Sequence, residues 1–348
     1  MREMANEIRR AARELFEAKK IDMLVGFEKG SVGYRSRPCF ISSAAEVERL
    51  LWDATCSHNI AVYLPFLFQR QPPRKGVETP LPRIGFVVKG CDMRSVVALV
   101  KETQAPRENL ALIGVPCRGM IDEGKLETAV REAAVREARG PAGGDGAAIS
   151  ALEDGEEKVA VTTADGRALS LERERLVQEA CLACRHPAPE GADVLIQGKA
   201  RGVSGDGDRP VKEFAALLAS DRWQRFQEEI SRCIRCYACR QACPTCYCKE
   251  CFAEMNSPAW IGISSELTDV MIFHLIRVFH QAGRCVECDA CLRACPMGID
   301  LRTFTKKIAV DVRELFGFTP DFDLKTPPPL VTFKEDDTQQ FITDPRKG

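Results

Sequence analysis

The chain has 348 residues, 45% of them apolar and 28% charged, and a formal net charge of -1. That length serves about two domains with cores of their own; the balance excludes intrinsic disorder and collagen-like repeats and leaves no electrostatic footprint for nucleic acid. The cysteines are the abnormal component, 17 of them against 4 histidines. They are too sparse for a disulfide scaffold, where cysteine exceeds roughly 8–10%, and an odd total fits poorly with complete pairing. Eleven lie between Cys233 and Cys295, clustered as metal ligands would be.

Met1 to Lys20 predicts an amphipathic helix with Ile8, Ala11, Ala12, Leu15 and Phe16 on one face. It lacks the apolar core of a signal peptide. The most apolar later stretch, Leu267 to Ala282, holds Asp269, His274 and Arg277 and is too short to span a bilayer. The expectation is a soluble cytoplasmic protein with no membrane span, in a reducing compartment where thiols are free to bind metal.

Short apolar runs follow at Ile21 to Phe27 and Cys39 to Ile41, then a helix from Ser43 with Glu46 completing a capping box. The clearest signal of the first half is an apolar strand at Ile84 to Val88, a Gly90-Cys91-Asp92 turn, a helix through Val96, Val97 and Val100, and a strand at Leu110 to Val115. This predicts a βαβ unit with parallel strands. Cys91 and Cys117 each closely follow a strand, which places both at the carboxyl edge of the sheet, where open α/β folds bind ligands.

A charged helix ends near Arg139, a Gly-rich linker spans 140–146, and Val159 to Thr163 with Ala168 to Leu171 predicts a hairpin across Asp165-Gly166. Cys181-Leu-Ala-Cys184, a strand at Asp193 to Gln197 and a helical stretch from Val211 to Ile230 follow. The predicted organisation is an α/β domain with a partly parallel sheet over 1–125, completed by 126–210. An α+β bacterial-type dicluster ferredoxin domain with flanking helices takes 211–316, and an extended tail takes 317–348.

Two segments carry the chemistry: Cys233-Ile-Arg-Cys236-Tyr-Ala-Cys239-Arg-Gln-Ala-Cys243-Pro244 and Cys285-Val-Glu-Cys288-Asp-Ala-Cys291-Leu-Arg-Ala-Cys295-Pro296. Each is C-x2-C-x2-C-x3-C-P, the bacterial ferredoxin spacing for a 4Fe-4S cluster. Three closely spaced thiolates reach three iron corners of one cubane, and the fourth points to the neighbouring cluster. By that rule Cys233, Cys236, Cys239 and Cys295 hold one cluster, and Cys285, Cys288, Cys291 and Cys243 the other. A pair of zinc knuckles needs four ligands but not the C-x3-C-P ending.

Between the copies, a helix from about Ser265 to Gln281 carries His274 and His280, read as packing or surface residues. A later one, capped by Asp300, aligns Leu301, Phe304, Ile308, Val312 and Leu315. The tail with Pro327-Pro-Pro329 is expected to wrap a neighbour. Cys91, Cys117, Cys181 and Cys184 form a second constellation, open to three readings: a third cluster, buried structural thiols, or a redox-active pair. Cys91 sits at a helix N-terminus, where the dipole favours a thiolate. Cys246, Cys248 and Cys251 form a further group, for another cluster, for zinc, or for packing around the first two clusters; Cys39 and Cys56 read as core residues. No dinucleotide fingerprint, P-loop or catalytic triad is visible, and no catalytic residue is assigned. Electron transfer needs none of them.

Lys89-Gly-Cys-Asp, Ile113-Gly-Val-Pro-Cys117-Arg-Gly, Cys181-Leu-Ala-Cys-Arg-His-Pro and Ala192-Asp-Val-Leu-Ile-Gln-Gly198 resemble the beta-subunit family of deazaflavin-dependent hydrogenases and formate dehydrogenases. The run Cys233 to Phe252 and His280-Gln-Ala-Gly-Arg-Cys285 resemble its dicluster members, which accompany heterodisulfide-reductase-like and flavin oxidoreductase complexes in anaerobes. The resemblance implies an iron-sulfur electron-transfer subunit, and it favours a third 4Fe-4S cluster at Cys91, Cys117, Cys181 and Cys184. The implied partners are a flavin-bearing dehydrogenase, formate dehydrogenase or hydrogenase subunit on one side and a heterodisulfide-reductase-like subunit on the other. Beta subunits of this type bind a flavin, so the resemblance also admits FAD and a subunit that itself reduces or oxidises a deazaflavin or nicotinamide; no flavin-contacting motif can be placed on these residues.

Overall fold

A computed structural model of the chain describes residues 2–69, 80–138, 148–333 and 335. Helix α1 (Arg2–Glu17) lays Ile8, Ala11, Ala12 and Leu15 into the main core. Strands β1 (Met23–Lys29) and β2 (Ser36–Ile41) pair antiparallel, and the short helix α2 (Leu64–Leu67) follows. The helix expected from Ser43 is a 3-10 turn, Ala44–Arg49, and Ser43 makes no side-chain cap. Glu46 instead accepts from both the backbone N–H and the hydroxyl of Ser42, each at 2.9 Å, because the tight 3-10 turn shifts the reach of its carboxylate by one residue.

Strand β3 (Ile84–Val88), helix α3 (Gly90–Lys101) and strand β4 (Leu110–Gly114) form the expected parallel βαβ unit. The sheet order is β2-β1-β3-β4-β8, with β8 (Val194–Leu195) parallel to β4 and β1 parallel to β3. Every residue of β3 is buried, as a central parallel strand covered on both faces requires. Helix α4 (Glu123–Ala138) packs Leu126 and Val130 on Val159 and Val161 of a second, antiparallel sheet of β5 (Ile149–Asp154), β6 (Lys158–Thr163) and β7 (Ala168–Glu172). The hairpin was expected; β5 on its edge was not. The Gly-rich linker at 140–146 lies outside the described residues. Helices α5 (Arg173–Leu176) and α6 (Glu179–Leu182) return the chain to the carboxyl edge of the first sheet.

From residue 209 onward the regular structure is helical: α7 (Arg209–Ala215), α8 (Ala219–Ser231), α9 (Ala238–Gln241), α10 (Leu267–His280), α11 (Ala290–Arg293) and α12 (Leu301–Phe316). The helix expected over Val211 to Ile230 is broken at Leu218, whose ψ of 154° is extended. No strand occurs among residues 211–316, so the α+β character expected there is absent. The span between the two cysteine motifs is occupied by α10 and irregular loops and leaves no edge-paired hairpin. Phe214, Phe226, Ile230, Val270, Val278 and Phe304 form the core of this half, and Asp300 caps α12 by accepting from Thr303 N–H at 3.2 Å.

The tail, expected to wrap a neighbour, folds back on its own chain as far as it is described. Phe322 packs on the main core edge-on to His186, Lys101 lies over the Phe318 ring, and Arg94 donates to the Pro320 carbonyl at 2.6 Å. Among the described residues no helix is long and apolar enough to cross a membrane.

Candidate iron-sulfur sites

The two ferredoxin-type segments fold alike. Residues two and four positions after the first cysteine are left-handed in both copies: Arg235 and Tyr237 at φ 52° and 59°, Glu287 and Asp289 at 58° and 53°. None is glycine, so the strain is accepted in order to turn successive backbone N–H groups inward, the kind of nest that holds anions and iron-sulfur clusters. In the first copy Arg235 N–H points at Cys233 Sγ at 3.3 Å; in the second the N–H of Glu287 bonds the Cys285 thiol in the same way. A short helix, α9 or α11, then carries the third cysteine inward.

Members of the two predicted sets are neighbours in the fold. Burial pushes the Cys233 thiol up, and Cys236 and Cys295 lie close enough to add to the shift. Cys239 is likewise raised by burial, with Cys233, Cys295 and Cys236 around it. Cys243, Cys285, Cys288 and Cys291 line one small cavity of about 30 Å³. In each set the fourth cysteine comes from the other copy. Cys236 is the exposed member of the eight; the rest are buried or half-buried.

Cys91, Cys117, Cys181 and Cys184 also meet, around a cavity of about 70 Å³ at the carboxyl edge of the sheet. The βαβ turn places Cys91 at the start of α3, and Cys117 lies three residues past β4, its N–H bonded to the Pro187 carbonyl at 2.8 Å. Backbone N–H groups of Gly119 and Met120 aim at the sulfurs of Cys117 and Cys181, at 3.3 and 3.4 Å. Burial outweighs the expected dipole effect and pushes the Cys91 thiol well above its ordinary range, and Cys117 rises to about 12. Thiols in such a place ionise only against positive charge, which metal supplies. Lys89, buried in the wall of the cavity, is held by Asp92 at 2.8 Å and the His58 carbonyl at 2.7 Å.

Buried donors without partners test whether anionic groups fit here. Among the described residues Arg277 Nε and Nη1, Arg235 Nε and His274 Nδ1 have no hydrogen-bond partner, and all three residues lie beside the first two cysteine sets. His274 Nε2 is 3.3 Å from Cys233 Sγ, and burial holds the imidazole down at about 4. Its packing role was legible; its contact with a cysteine of the motif was not. Among the described residues no three His, Cys, Asp or Glu side chains stand close enough to share one metal ion.

Cys246, Cys248 and Cys251 line a separate cavity of about 30 Å³ with Arg240, Arg284 and His280. Cys246 accepts from Gln281 Nε2 at 3.3 Å, and its own bond to Cys243 holds that thiol down at about 5. Cys39 and Cys56 sit in the main core.

Residues 81–211 match the family model for the C terminus of the coenzyme F420 hydrogenase/dehydrogenase beta subunit. Over those residues the chain is similar to the F420-dependent beta-subunit family. The family segment contains Cys91, Cys117, Cys181 and Cys184, and both ferredoxin-type motifs lie beyond it. The chain is 32% identical over 118 residues to the F420-dependent formate dehydrogenase subunit beta of Methanocaldococcus jannaschii, a match spanning 34% of this chain and 29% of that relative. It is 23% identical over 362 aligned positions, 89% of each chain, to the F420-dependent formate dehydrogenase 1 subunit beta of Methanococcus maripaludis. A solved structure of the F420-reducing [NiFe] hydrogenase complex from Methanosarcina barkeri aligns over 55% of this chain and 60% of its own, at 14% identity and a TM-score of 0.37, a likeness too loose to bear on the fold.

Proposed function

We propose that the chain is an iron-sulfur electron-transfer subunit of a multi-subunit oxidoreductase. Cys233, Cys236, Cys239 and Cys295 would hold one 4Fe-4S cluster, Cys285, Cys288, Cys291 and Cys243 a second, and Cys91, Cys117, Cys181 and Cys184 a third. Such clusters supply reversible one-electron reduction, at potentials set by hydrogen bonds to sulfur, net charge and exposure. The chain's own residues supply the nests, the burial and the spacing. The observation that carries the reading is continuity: Cys288 lines both the family-segment cavity and the cavity of Cys243, Cys285 and Cys291, while Cys236 of the remaining set faces solvent.

The names of the relatives support a setting within an F420-dependent complex. The proposed relay runs between a flavin-bearing, formate- or hydrogen-oxidising module and a second redox subunit. The heterodisulfide-reductase-like identity of that second subunit follows from the sequence resemblance alone. A second reading rests on an open cavity of about 490 Å³ that shares Ala183, Gly207, Arg302 and Lys306 with the family-segment cavity. It is large enough for an organic cofactor, and a subunit with its own flavin would use it.

Anoxic purification with iron analysis, flavin analysis and EPR decides between them. About twelve irons per chain, little flavin and reversible reduction support the relay with three clusters; about eight irons would remove the third. Stoichiometric flavin with diaphorase activity would overturn the relay reading.

A further inference from the structure

Helix α10 is apolar along most of its length, yet Arg277, near its C-terminal end, is 3% exposed. Its Nη2 donates to the Cys239 carbonyl at 3.0 Å; Nε and Nη1 have no partner, and no carboxylate lies within ion-pair distance among the described residues. An arginine is always charged, and a buried charge without a counter-charge costs several kcal/mol. The surroundings of this cation are thiols from both ferredoxin-type sets: Cys239 from one, Cys243 and Cys291 from the other, with Cys246 beside them. It lines the cavity of the second set and the neighbouring cavity of Cys246, Cys248 and Cys251.

We infer that Arg277 is a positioning residue between the two clusters: its fixed positive charge and its two free N–H edges balance their negative charge and raise both reduction potentials together. The inference rests on the proposed cluster pair. Each cluster gains one negative charge when it accepts an electron, so a buried cation beside it stabilises the reduced form more than the oxidised form. Because the charge stands between the pair, the effect is shared. Arg277 does not line the cavity of Cys91, Cys117, Cys181 and Cys184, so its effect there is weaker than on the pair it touches.

The test is EPR-monitored redox titration of the anoxic full chain as wild type, Arg277→Lys, Arg277→Gln and Arg277→Met. Both neutral variants are expected to lower the one-electron reduction equilibrium of both clusters by about tenfold, equivalent to about 59 mV. Arg277→Lys stays within about threefold of wild type, and the signal of the third site moves less than those of the pair. Unchanged potentials in iron-loaded neutral variants would overturn the inference, as would a shift in only one cluster. If the neutral variants cannot hold iron while Arg277→Lys can, the charge is required and the inference stands; if Arg277→Lys also loses iron, the guanidinium acts by shape and the inference falls. A wild-type chain without the cluster pair would instead refute the underlying reading.

Discussion

Gly90 has no room for a side chain. A Cβ built there would stand 1.7 Å from the backbone carbonyl oxygen of His186, which rotamer changes cannot relieve. This contact sets the turn that carries Cys91 against the segment that carries Cys181 and Cys184, so the absence of one methyl group lets these cysteines share a cavity. Gly90→Ala therefore forces the two segments apart, at a cost on the order of 1–3 kcal/mol. The expected outcome is a chain that folds, keeps about eight irons and loses about four; iron analysis beside thermal unfolding checks it. Retention of about twelve irons would show that the close approach is not what builds the site.

At the scale of elements, two arginines tie the halves together. Arg94 on α3 donates to the Val286 carbonyl at 3.0 Å and to Pro320 in the returning tail, and Arg293 on α11 donates to the Ser57 carbonyl at 2.8 Å and to Gln178 at 3.0 Å. Arg94→Met leaves two buried carbonyls unpaired, which costs about 2–6 kcal/mol. It should release the tail, so limited proteolysis near residue 320 is expected to accelerate well before the βαβ unit becomes susceptible. Such cross-chain bonds were not legible in the sequence, because nothing local distinguishes Arg94 or Arg277 from a solvated arginine. What was legible is what local chemistry dictates: the apolar runs of β3 and β4, the Asp300 cap, and the cysteine spacings, since a loop that must feed several metal corners repeats its geometry wherever it occurs. The strand β5, the break at Leu218 and the Ser42 bond to Glu46 were not legible although they are local: β5 is mostly exposed and shows little apolar alternation, and Glu46 reaches back to Ser42 only because the turn is 3-10. Arg277 did leave one trace, a charge in the most apolar helix of the chain, first read only as an argument against a membrane span.

For the whole molecule, shared walls put the three cysteine sets next to one another in series. The family-segment set meets the Cys285 set at Cys288, the Cys285 set meets the Cys233 set across Arg277, and the Cys233 set reaches solvent at Cys236. A linear order makes the middle set indispensable to passage but not to the reducibility of the ends. Cys291→Ala removes a middle ligand without touching the Cys233, Cys236, Cys239 and Cys295 set or the Cys91 set. A small reductant that diffuses to each site should still reduce both end clusters in that variant. A redox protein that docks at the Cys236 face should reduce the outer cluster at the wild-type rate and the inner one at least about tenfold more slowly. Stopped-flow reduction followed by freeze-quench EPR separates the two signals, and equal rates at both ends in the Cys291→Ala protein would break the linear order.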